Sequence, residues 1–202
     1  MSDIVRRAYL RHIIDKYVSK RRQDVYYVHE LCMCYMKSQF NRMLQGYNII
    51  DIGNINDRMI IGELIHEGMI QILKHEECIE PEEKCKQVND ITICGTADLI
   101  CNNIVIEIKY VSKSEKIVNN GNVTPMEHHV DQCRLYGWLY DAEKCVLIYV
   151  TPSRIVHVMF EPFSDFEVKQ IINNWFSDRP SPKYEWECKY CPFRNMCPVA
   201  VR

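Results

Sequence analysis

No apolar run in this sequence is long enough to cross a bilayer, and Asp3, Arg6 and Arg7 interrupt the first apolar residues so that no signal-peptide core forms. Membrane insertion and secretion are set aside, and the expectation is a cytoplasmic protein. A formal net charge of -2 excludes a surface coated in basic residues, although it leaves a local basic groove open. Internal repeats and low-complexity segments are also absent, which excludes a repeat architecture.

What is present fits one globular domain: 202 residues with 47% hydrophobic content suffice for a substantial core. The abundant Ile, Glu and Lys are of the kind found in proteins from hot environments. Eleven cysteines is a high count for a chain in a reducing compartment, where closely spaced cysteines hold metal more often than disulfides.

Periodicity predicts a helix over 3–17 capped by Ser2, and then a basic segment over 16–22 read as a solvated turn. A second helix over 28–44 ends at Gly46 as its C′ residue, and a third, well buried, covers 57–75 after an irregular stretch over 46–56. An exposed loop over 76–83 leads to a strand over 84–88 and an Asn89-Asp90 turn. Residues 94–109 read as a hairpin with Asn102-Asn103 at its tip, followed by a mobile polar loop over 112–122. A helix over 126–140, strands over 144–150 and 154–160, and a helix over 164–176 complete the core. A loop at Asp178-Arg-Pro-Ser-Pro opens the tail. The sum is an α/β or α+β chain, a mixed central β-sheet flanked by helices, organised as one domain over 1–202: a helical N-terminal region over 1–76, a core over 77–176 and a tail over 177–202.

Two constellations carry chemistry. On the hairpin, Asp98 sits on one arm and Glu107-x-Lys109 on the other; side chains two apart share a face, so Glu107 and Lys109 point together while Ile106 and Ile108 point away. Carboxylates that hold a hard divalent cation, with an ammonium beside them, are what metal-assisted phosphodiester hydrolysis requires. An acid in an apolar strand is costly unless it binds something, which sets Asp98 apart from an exposed Glu/Lys pair. The third helix carries Gly62-x-x-x-His66, with Gly62 leaving room for a close approach, and the helix over 126–140 carries Gln132 and Tyr136 one turn apart.

The second constellation is Cys188-x2-Cys191-x5-Cys197, in a tail with little core of its own, where metal bonds replace packing. A tetrahedral site wants a fourth thiolate, from Cys32 or Cys34. On a continuous helix these lie about 200° apart. Cys32 shares the apolar stripe of Met36, Phe40 and Met43 and is favoured. The spacing alone does not separate zinc from an iron–sulfur cluster. The other six cysteines, Cys78, Cys85, Cys94, Cys101, Cys133 and Cys145, are expected to be small buried or half-buried residues.

In that order, Gly62-x-x-x-His66, Asp98, Glu107-x-Lys109 and Gln132-x-x-x-Tyr136, followed by the cysteine tail and one distant N-terminal cysteine, resemble the RecB-type branch of the PD-(D/E)xK nucleases. Within it the chain is similar to the CRISPR-associated RecB-like exonucleases. The resemblance implies a restriction-endonuclease-like core in which His66, Asp98, Glu107 and the Ile108 carbonyl bind Mn²⁺ or Mg²⁺. Lys109 would assist the attacking water, and Gln132 and Tyr136 would orient the substrate or the lysine. Cys188, Cys191 and Cys197 with Cys32 or Cys34 would ligate a [4Fe-4S] cluster joining the two ends of the chain; the family pattern after the N-terminal cysteine pulls towards Cys34, whose Lys37 it matches. The implied activity is 5′-to-3′ degradation of single-stranded DNA in CRISPR spacer acquisition, with other CRISPR adaptation proteins as partners and a homo-oligomer left open. A rival reading is a non-catalytic module that binds DNA or a partner on the same scaffold, with zinc or a cluster as staple.

Overall fold

The computed structural model describes residues 3–17, 22–43, 57–119, 122–177 and 181–201. The Ser2 cap, most of the basic segment, the Gly46 terminus with the irregular stretch after it, and the first residues of the tail loop lie outside them.

The centre is β6 (Ile104–Tyr110), whose run Ile-Val-Ile-Glu-Ile is covered on both faces. It forms a tight hairpin with β5 (Leu99–Cys101) through Asn102 and Asn103, both at positive φ (45° and 64°), as the Asn pair foretells. On its other side β6 runs parallel to β9 (Lys144–Val150), which turns back antiparallel into β10 (Ile155–Phe160). The sheet order is β10-β9-β6-β5-β2, a mixed five-stranded sheet. Its edge strand β2 (Cys78–Ile79) lies where an exposed loop was expected, because Cys78 and Ile79 pair with Cys101 and Ile100. A second sheet holds β1 (Tyr26–Tyr27), β4 (Ile91–Gly95) and β3 (Lys84–Val88).

The expected 94–109 hairpin is therefore two pieces. The chain leaves one sheet at Gly95 and enters the other at Leu99, with Asp98 at the bend between them rather than inside a strand. Gly95 permits this crossing: a Cβ there would sit 2.8 Å from the Tyr136 ring and 3.1 Å from Val28.

Helices α1 (Asp3–Tyr17), α4 (Asp57–Leu73), α5 (Glu127–Tyr140) and α6 (Asp165–Phe176) follow the periodicity. Ser164 caps α6 in a capping box with Glu167. The helix expected over 28–44 is broken into α2 (Val28–Leu31) and α3 (Tyr35–Met43). Buried Glu30 ties the halves together: it accepts from Ser38 Oγ (2.7 Å) and pairs with Arg42 (2.8 Å), and Trp175 of α6 donates to the Met33 carbonyl exposed by the break (3.1 Å).

The two faces of the central sheet are distinct. Ile106 and Ile108 pack with Ile70 of α4, whereas Val105 packs with Leu135 and Leu139 of α5. Helix α4 is less buried than its apolar stripe suggested, since it covers one face with Ile60 and Ile70 and leaves Leu64 at 68% exposure. Some of the expected mobile loop is ordered as a short hairpin, β7 (Val118–Asn119) with β8 (Asn122–Val123). Among the described residues no helix is long and apolar enough to cross a membrane.

Candidate active site

Alternation along β6 puts Glu107 on the α5 face with Val105. The β5/β6 register pairs Leu99 with Ile106, and one further step places Asp98 opposite Glu107. Asp98 is anchored there: its Oδ2 accepts from the Ile108 N–H at 2.7 Å, and its Oδ1 lies 3.0 Å from Nε2 of His66, which reaches over from α4. Glu107 Oε1 holds Lys109 Nζ at 2.5 Å. From α5, Tyr136 closes the site, with Gln132 as its hydrogen-bonded neighbour one turn away. The structure thus brings His66, Asp98, Glu107, Lys109, Gln132 and Tyr136 around one point of the sheet. Among the described residues no other backbone approaches Gly62 closely, since a Cβ there would make ordinary contact with the Tyr110 ring at 3.6 Å.

The electrostatics follow from burial. Glu107 is 1% exposed, and among the described residues its Oε2 has no hydrogen-bond partner. Burial pushes its carboxyl up to about 7, Asp98 pushes the same way, and Lys109 pulls against both. Burial also disfavours the charged form of Lys109, but Glu107 and Asp98 outweigh it and hold the ammonium protonated. Burial and the two carboxylates raise the Tyr136 hydroxyl, which stays neutral. An unpaired carboxylate oxygen facing a second carboxylate, with an imidazole nitrogen 3.0 Å from that neighbour, is a donor set suited to a divalent cation.

At the far end of the chain, Cys34, Cys188, Cys191 and Cys197 line one pocket with Lys37 and Arg194. Val201 N–H donates to Cys188 Sγ at 3.4 Å, and Ser181 Oγ lies 2.7 Å from Cys34 Sγ. Burial raises the Cys191 thiol, with neighbouring Cys34 and Cys197 adding to the effect while Lys37 opposes it. The structure places Cys34, and not the favoured Cys32, beside the three tail cysteines. The preference for Cys32 assumed an unbroken helix, and the break at 32–34 turns Cys32 into the main core, where its Sγ bonds to the Val28 carbonyl at 3.4 Å, and Cys34 towards the tail. Four thiols with backbone and hydroxyl donors around them fit a tetrahedral metal or a cluster.

Two features went unseen in the sequence. Four of the cysteines expected to be plain buried or half-buried residues form cross-strand disulfides, Cys78–Cys101 and Cys85–Cys94, because strand register sets each pair directly opposite. On α4, Glu63 and Glu67 flank His66 and gather with His12 of α1, the donor atoms of the three lying within 4.8 Å of one another. The i,i+4 glutamates were its only signal, and the α1–α4 contact carries none.

No family model matches the sequence. The chain is 31% identical over 193 residues to the CRISPR-associated exonuclease Cas4 of Saccharolobus solfataricus, covering 90% of this chain and 91% of that one. The crystal structure of SSO0001 superposes with a TM-score of 0.82 at 28% identity, over 97% of both chains. An alkaline exonuclease from Laribacter hongkongensis shares the fold at a TM-score of 0.54 and 14% identity, over 76% of this chain and 85% of that one.

Proposed function

The chain belongs to the CRISPR-associated Cas4 exonuclease family, and from that premise we propose that it is a Mn²⁺- or Mg²⁺-dependent exonuclease that degrades single-stranded DNA from 5′ to 3′ during CRISPR spacer acquisition. The observation that carries the reading is Glu107, buried with one oxygen unpaired between Asp98 and Lys109. In this reading residues 1–202 act as one nuclease unit, with single-stranded DNA as substrate and other adaptation proteins as partners.

His66, Asp98, Glu107 and the carbonyl of Ile108 would hold the divalent cation, which when bound supplies Lewis-acid polarisation of the scissile phosphate. The protein's own groups do the rest. The Ile108 N–H fixes Asp98 and so the spacing of the two carboxylates. Lys109, kept charged by Glu107, offsets negative charge as it grows on the phosphoryl oxygens and orients the attacking water. As the water oxygen bonds to phosphorus it gives up a proton to bulk water, and the ester oxygen leaves with the bonding pair and takes a proton from solvent. Tyr136 and Gln132 wall the site on the α5 side and set the lysine's direction. Cys34, Cys188, Cys191 and Cys197 would bind a [4Fe-4S] cluster that staples the tail to α3.

The test is digestion of labelled single strands blocked at either the 5′ or the 3′ end, with Mn²⁺ or Mg²⁺ added, by wild type, Asp98→Ala and Glu107→Ala. Loss of digestion in both variants is expected, and equal activity would remove the assigned site. For the cysteine site, anaerobically purified protein should be brown, whereas colourless protein with stoichiometric zinc would exclude the cluster.

A further inference from the structure

The face of α5 that presents Tyr136 and Gln132 continues one turn further to His128, and there it meets the tail. The His128 ring lies 5.1 Å from Trp186 and 5.7 Å from Tyr184, and Tyr184 and Trp186 are stacked at 5.9 Å with 14° between their planes. The trio is joined to the catalytic face: His129 packs against His128 (4.1 Å) and meets Tyr149 through Nδ1 at 3.1 Å, and Tyr149 is the register partner of Lys109. Lys183, held by Asp131 at 2.7 Å, stands 5.4 Å from the Tyr184 ring.

Trp186 differs from the protein's other two tryptophans. Trp138 and Trp175 are buried, and their indole N–H groups donate to Asp165 and Met33. Trp186 is 42% exposed. Its segment is nonetheless rigidly held, since Glu187 accepts from the Tyr184 N–H and from the Cys34 N–H, at 2.8 and 2.7 Å. Burial, with Lys109 and Lys183 nearby, pushes His128 down to about 4, so its ring is neutral and can act as an aromatic face.

We propose that Trp186, Tyr184 and His128 form a base-stacking platform for single-stranded nucleic acid, which holds unpaired bases while Lys183 meets the backbone and leads the strand to Lys109. The proposal deepens the nuclease reading and rests on it for the identity of the strand. Stacking on a protein ring needs a base with a free face, so the platform accepts any unpaired base and excludes a duplex interior. It also gives the cysteine pocket a purpose: Tyr184 and Trp186 directly precede Cys188, so what fixes that cysteine fixes two of the three rings.

The experiment measures binding of a fluorescent oligo-dT without added divalent cation, separately from Mn²⁺-dependent cleavage. Trp186→Ala should weaken binding roughly 5-fold to 150-fold, the range expected for loss of one stacked base, and Trp186→Phe should restore it. A single abasic residue at the stacked position should weaken wild-type binding by a similar factor and leave Trp186→Ala unchanged. Oligo-dT should quench the wild-type tryptophan emission, and Trp186→Phe should lose the quench while keeping its affinity. Unchanged affinity in Trp186→Ala, or an unquenched Trp186 in the bound state, overturns the platform. Cleavage by wild type together with either of those results sinks the platform and leaves the nuclease reading standing. Quenched, Trp186-dependent binding with no cleavage under any metal does the reverse.

Discussion

Glu107 concentrates the chemistry in one side chain. A carboxylate at 1% exposure with an unpaired oxygen is costly in water-excluded surroundings unless a cation comes to it, and Lys109 satisfies only Oε1. With its carboxyl raised to about 7, Glu107 holds a proton below that pH, and the proton competes with the cation. Affinity for Mn²⁺ should therefore fall by about tenfold for each unit below pH 7 and level off above it, as read by calorimetry. The stability sign agrees: a raised folded value contributes stability below the ordinary carboxylate value, and that contribution is lost as pH rises through about 7. Added Mn²⁺ should accordingly raise Tm more at pH 8 than at pH 5.5. Glu107→Gln should flatten both profiles and lower the cleavage rate by on the order of 100-fold or more. A Mn²⁺ affinity independent of pH in the wild type would contradict the assignment.

At the scale of elements, two breaks in regular structure place the functional groups. The crossing at Gly95 lets the chain change sheets so that Asp98 arrives opposite Glu107, with the Tyr136 ring where a side chain would go. Gly95→Ala should destabilise the protein by about 1–3 kcal/mol in urea unfolding, the usual range for overpacking, and reduce cleavage by displacing Tyr136. The break between α2 and α3 turns Cys34 to the tail and Cys32 to the core. Cys34→Ser should abolish metal or iron binding at the cysteine pocket, while Cys32→Ser should retain it; metal analysis of both variants decides this. These breaks mark where the sequence stopped being legible. Helix and strand types were readable from periodicity, and the Asn102-Asn103 turn from its chemistry, because both are local. The residues gathered at the candidate site, Asp98, Glu107, Lys109, Gln132 and Tyr136, were readable as motifs. The sheet change at 96–98 and the loss of helix at 32–34 depend on what packs from afar, Tyr136 on Gly95 and Trp175 on the Met33 carbonyl, and no window around either segment contains those partners.

Across the whole molecule, the disulfides and the free-thiol pocket take different regions. The disulfides Cys78–Cys101 and Cys85–Cys94 lock strands in the two sheets and leave seven of the eleven cysteines free. Unreduced, metal-free, denatured protein should titrate seven thiols; eleven would mean that neither bond forms. Closing loops with sequence separations of 23 and 9 contributes about 3 kcal/mol each by chain entropy, so reduction should lower Tm without releasing the tail.

The tail is secured otherwise. It meets the N-terminal helices through the cysteine pocket, the Cys34–Ser181 and Cys34–Glu187 bonds and the Phe40–Phe193 ring pair at 5.3 Å, with few apolar side chains of its own buried. Metal bonds would have to supply what packing does not. Chelating any metal held there, or making Cys197→Ala, should let trypsin cut the tail at the exposed Lys189 and Arg194 while residues 77–176 survive as a resistant fragment, read by mass spectrometry. Because Tyr184 and Trp186 ride on the same segment, binding of oligo-dT should fall in step with tail cleavage. A metal-free tail that resists trypsin as well as the loaded protein would show that Phe193 and Glu187 hold it unaided, and the cysteine pocket would then have no structural role to explain it.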